Sequence, residues 1–117
     1  MPQYMLSVHH DGVNAMPRDV DAADVFAAVE AFNAKLSESG AYVFACALMP
    51  FDGAVVVDDN GQPEPIITSG PRLESGEQLG GFWIVRAPDD ESALAVASEA
   101  SSACRQAIEV RELQDDE

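Results

Sequence analysis

Leu79–Ala87 reads LGGFWIVRA, and Ala41–Met49 reads AYVFACALM. Both runs are short, rich in β-branched and aromatic residues and bounded by turn formers, so each is predicted as a strand. Side chains alternate across a strand. In the first run Phe82 and Ile84 share one face, and Trp83 and Val85 the other. In the second, Tyr42, Phe44, Cys46 and Leu48 oppose Val43, Ala45, Ala47 and Met49. Both faces of both strands are apolar. A sheet with one wet face normally alternates apolar with polar residues, so these strands belong to a sheet covered on both sides.

Working outward, the Leu79 strand is preceded by SGPRLESGEQ, a stretch dense in turn residues. Such a loop is expected to line a cleft beside the sheet, with Gly80 and Gly81 marking a bulge or a close backbone approach. After the strand, PDDESALAVASEASSACRQ opens with proline and acids. It continues at helical spacing through Ala93, Val96, Ala97 and Ala100. Residues 3–9 and 107–113 read as the first and last strands. Between them Val25, Val29, Phe32 and Leu36 form one stripe of an amphipathic helix, with Asp21 as its cap and Gly40 as its stop. Residues 53–58 and 64–68 read as two short strands. Asp59-Asn60-Gly61 between them signals a tight hairpin with positive φ at both central residues. The order is βαββαβ with an extra central hairpin, an α+β fold of the ferredoxin-like type.

Two helices cover one face of a four-stranded sheet and not both. At 117 residues the chain is one domain, residues 1–113, with an acidic tail at 114–117. It has no further layer to spend, so the second face is expected to be covered by a second copy, giving a homodimer with sheets face to face. With 21 acidic residues against 6 basic, the net charge is -15 at pH 7. That leaves almost nothing to neutralise phosphates with, so neither nucleic-acid nor anionic-membrane binding is expected. No run reaches the length of a membrane helix and the N-terminus lacks signal-peptide character, so a cytoplasmic location is expected. Cys46 and Cys104 are expected as buried free thiols.

YMLSVHHDG, AFNAKLSESGAYV, SGPRLESGEQLGGFWIV and AIEVREL together resemble the YCII-related family, and more narrowly its DGPF branch. Gly70-Pro71 and Glu77, Leu79, Gly80, Gly81 and Phe82 match that branch's pattern. Ser69 stands where its aspartate is usual, Arg72 where its phenylalanine is usual, and Gly76 where a lysine is common. The resemblance implies a dimeric α+β barrel whose relatives include cofactor-free enzymes acting on ring compounds and proteins without known activity. The family's histidine on the first helix has no counterpart here; the nearest polar residue is Asn33. The resemblance also implies association with an extracytoplasmic-function sigma factor as a regulatory role.

The candidate chemistry is sparse. His9 and His10 close the first strand beside Asp11, and alternation sends the imidazoles to opposite faces. A histidine beside a carboxylate is the usual proton-transfer pair, and a solvated strand end is the plainer reading. Opposite faces also disfavour one shared metal ion, so neither metal nor cofactor is expected. Arg72 could hold an anionic ligand or pair with one of the many acids. Ser69 reads as turn chemistry or as part of a ligand wall. Trp83 reads as core, or as an aromatic surface for a ligand. The expected function is binding of a small organic ligand or regulatory partner in a cleft beside the sheet. The alternative is a cofactor-free lyase or isomerase using His9 or His10 with Asp11, and Arg72 to hold a small anionic or aromatic substrate.

Overall fold

The computed structural model describes residues 1–12, 21–61, 63–73 and 75–114. The expected loop at 13–20 and the end of the acidic tail, 115–117, lie outside the described residues. The chain runs β1 (Gln3–His10), α1 (Ala22–Ser39), β2 (Tyr42–Ala47), β3 (Val55–Asp58), β4 (Ile66–Ser69), β5 (Gln78–Arg86), α2 (Asp90–Cys104) and β6 (Glu109–Glu112). The main sheet has the order β2-β5-β1-β6 with antiparallel neighbours. This is the expected ferredoxin-like α+β arrangement. The sheet is open within the chain, and no barrel closes.

Both helices begin at a capping aspartate, and α1 ends at a glycine. Asp21 accepts from the Ala23 N–H at 2.9 Å, which satisfies one of the otherwise orphaned first-turn donors. Gly40, at φ 79°, ends α1 and donates its N–H back to the last turn. Asp89 accepts from the Ser92 N–H at 2.8 Å to cap α2. That hydrogen bond holds the Asp89 carboxyl below the usual carboxylate range. α2 ends at Arg105, which sits at φ 61° without being glycine. Neither helix is long and apolar enough to cross a membrane.

The core lies between the helices and one face of the sheet. Tyr4, Leu6, Trp83 and Val85 meet Phe32 and Leu36 of α1 and the alanine face of α2, Ala93, Ala97 and Ala100. Small residues on α2 let that helix approach closely, and Phe32 stands edge-on to Trp83 with centroids 5.5 Å apart. On the opposite face alternation places Met5, Phe44, Phe82 and Ile84. Met5 and Phe44 both pair with Ile84, and the Phe44 and Phe82 rings lie 6.0 Å apart. None of the described elements covers them, and Phe44 is 51% exposed.

Three details differ from expectation. Tyr42 and Phe44 do not share a face: Tyr42 pairs with Val85 and Phe44 with Ile84, so Val43 is an extra residue. That bulge turns Tyr42 toward the core. The central hairpin forms, with Asp58 opposite Ile66, but it is not closed by a tight Asn-Gly turn. Among the described residues of the connection only Gly61 has positive φ, and the connection runs on to Pro65. Pro63 and Pro65 have no N–H to give to a ladder. The third detail concerns the thiols: both are free, as expected, but half-buried rather than buried.

Candidate functional site

His10 continues the core-facing row of Tyr4, Leu6 and Val8 past the edge of the packed core. Opposite it β5 carries one residue more than β1: Val8 pairs with Gly81 and His9 with Leu79, which leaves Gly80 unpaired in the register. The imidazole lies against this bulge. A Cβ at Gly80 would fall 2.5 Å from His10 Cδ2 and nearer still to Nε2, so a side chain there would displace the ring. At Gly81 a Cβ would stand 2.9 Å from the Cys46 carbonyl oxygen, which is why β2 can lie so close. The two glycines thus meet the expectation of a bulge and a close approach.

His10 lines a cavity of about 320 Å³ between α1 and the sheet. Its walls are mainly apolar, with Val25, Phe26 and Val29 from α1 and Val8, Ala45 and Trp83 from the strands. Val25, Val29 and Asn33 are one helical row, so Asn33 stands at the wall as the polar member of an apolar stripe. Its Oδ1 accepts from Trp83 Nε1–H at 2.7 Å, which fixes the amide. Its NH₂ group has no partner among the described residues. The Gly12 N–H donates to His10 Nδ1 at 3.1 Å. Nδ1 then carries no proton, and the ring's N–H is at Nε2. Cys104 and Gln106 complete the wall. Burial pushes the Cys104 thiol up, so it stays protonated and is a poor nucleophile.

A second cavity, of about 500 Å³, lies on the other side of His10 and is lined by Leu48, Met49, Phe51 and Leu79 among others. The imidazole therefore stands between two spaces at one end of the sheet. Among the described residues no three His, Cys, Asp or Glu side chains converge to hold a metal ion.

Of the residues singled out from the sequence, His10 and Trp83 come together at the first cavity. His9 is half-buried on the opposite face, in a groove with Glu77, Ile108 and Glu109. Asp11 is half-buried just beyond β1. Ser69 is exposed at the end of β4, opposite Val55. Arg72 is exposed and has no ion pair among the described residues. Residues 69–73 and 75–78 do not reach the cavity wall; this part of the loop closes on itself, with Gln78 Nε2 donating to the Leu73 carbonyl at 2.7 Å. Sequence reasoning named Asn33 and Cys104 without assigning either to a site, and passed over Gln106. For Asn33 the signal was present, a polar residue at i+4 from Val29. For Cys104 and Gln106 there was none, since only the fold brings the end of α2 to this wall.

No curated protein matches the chain. The model of the YCII-related domain matches residues 3–115, nearly the whole length, and the chain belongs to the YCII-related domain family.

Proposed function

We propose that the protein is a homodimer that binds a small organic molecule in the cleft between α1 and the sheet. The observation that carries the ligand reading is the cavity itself. It is apolar, of ligand size, and furnished with a few fixed polar groups, His10 and Asn33. The dimer reading is supported by the uncovered face of Met5, Phe44, Phe82 and Ile84 and by the surface area. A compact monomer of 12.5 kDa exposes about 6,200 Å², whereas this chain exposes 8270 Å². The surplus exceeds the roughly 800 Å² per partner of a standard interface.

A second reading is proton transfer on the bound molecule, favoured by the position of His10 at the cavity wall. It is the weaker one. Arg72 and Ser69 lie away from that wall, His9 faces the other side of the sheet, and Nδ1 of His10 is already engaged by Gly12.

A thermal-shift screen with small aromatic compounds tests the ligand reading, because a ligand of the native state raises the melting temperature by mass action. Ala45→Phe, which fills the cavity, should abolish every shift the unaltered protein shows. Shifts that survive in Ala45→Phe would place the ligand elsewhere and contradict the reading.

A further inference from the structure

The chemistry of the cavity wall is one-sided in two ways. First, among its described lining residues there is no Asp, Glu, Lys or Arg. Arg72, the cation that could have met an anion, is exposed and not part of the wall. The chain's net charge of -15 at pH 7 further repels anions from its clefts. Second, two of its polar side chains are committed as donors. Gly12 occupies Nδ1 of His10 and leaves Nε2–H; Trp83 occupies Oδ1 of Asn33 and leaves the amide NH₂. Each hydrogen bond fixes which end of the side chain remains for a ligand.

Resting on the cleft reading above, we infer that this cavity selects an uncharged apolar molecule bearing a carbonyl-type acceptor and discriminates against the carboxylate of the same shape. The acceptor takes a hydrogen bond from His10 Nε2–H or the Asn33 amide. The body of the molecule replaces water against Val25, Val29, Ala45 and Trp83. A carboxylate entering the same space loses its hydration and finds no cation among the described lining residues. A hydrocarbon of that shape leaves both donors unpaired.

Acetophenone, benzoate and ethylbenzene are nearly isosteric and differ in these two properties. Trp83 is the chain's one tryptophan, so the single indole N–H resonance reports the cavity in a titration with each compound. Acetophenone is expected to bind at least about tenfold more tightly than benzoate and about three- to tenfold more tightly than ethylbenzene. In His10→Phe, which keeps an aromatic ring, the preference for acetophenone over ethylbenzene should fall to about twofold or less. Benzoate binding as tightly as acetophenone would overturn the charge selection. Equal binding of ethylbenzene and acetophenone, or an undiminished ketone preference in His10→Phe, would overturn the donor assignment while leaving the cleft reading in place. No saturable shift with any of the three would overturn the cleft reading and this inference together.

Discussion

Gly80 and Gly81 look alike in the sequence and have different neighbours in the structure. The space beyond Gly80 is filled by the imidazole of His10, a side chain that can swing. The space beyond Gly81 is filled by the backbone of β2, which cannot move alone. Overpacking costs typically about 1–3 kcal/mol, so Gly81→Ala is expected near the upper end and Gly80→Ala near the lower, read as shifts in urea midpoint. In a His10→Ala background the cost of Gly80→Ala should drop by more than half, which a double-mutant cycle measures directly. An unchanged cost would mean that His10 is not what occupies that space. Tyr4 makes a second residue-scale case. Its hydroxyl donates to Asp90 Oδ1 at 2.8 Å; that bond, then burial, then nearby carboxylates push the phenol from 10.0 to about 12. A folded pKa above the unfolded one gives stability that is full below pH 10 and lost as pH rises through about 12. Tyr4→Phe should therefore lose less stability across that alkaline window than the unaltered protein does; equal losses would remove Tyr4 from the account. His10 was legible at this scale because alternation along β1 survives to its end. The tautomer and the Gly80 bulge were not, since both depend on a neighbour set by register.

Helix boundaries were readable wherever a capping residue declared them. Asp21 and Gly40 frame α1, and the acids after Pro88 open α2. The end of α2 carried no such mark. Arg105 takes the left-handed conformation that glycine adopts without strain, and its N–H still reaches the Ser101 carbonyl at 2.9 Å. For an L-residue this conformation costs roughly 1–2 kcal/mol. Arg105→Gly is thus expected to raise stability by about 0.5–1 kcal/mol after the unfolded-state entropy of glycine is set against it. A decrease would show that the Arg105 side chain contributes more than its backbone costs. The β3–β4 hairpin was legible as an element but not in its turn, because Asn60-Gly61 is followed by two prolines that keep the strands from pairing up to it. In β2 the even-and-odd reading fails at Val43, where a bulge invisible in an all-apolar run turns Tyr42 inward. An all-apolar strand has no polar residue to show which way each side chain points.

The shape of the chain explains why so much apolar surface is left over. It is a slab of 49 × 44 × 19 Å with a radius of gyration of 16.5 Å, against about 13 Å for a compact domain of this length. Helices shelter one face only. Val55, Val57, Ile66 and Ile67 of the β3–β4 hairpin are all at least half exposed, and the hairpin pairs with no strand of the main sheet. That the helices would leave an apolar sheet face unsheltered was legible from the apolar faces of Ala41–Met49 and Leu79–Ala87 alone; the exposed hairpin was not, since its residues read as ordinary strands. If a second copy supplies the cover, Phe44→Glu places a charge on each side of the interface and should shift the protein to monomer while the helix-side core stays intact. Sedimentation equilibrium of the unaltered chain at micromolar concentration is the most direct measurement of all. A species of twice 12.5 kDa that does not dissociate on dilution through that range is the expected result. A well-folded, stable species of 12.5 kDa would contradict it.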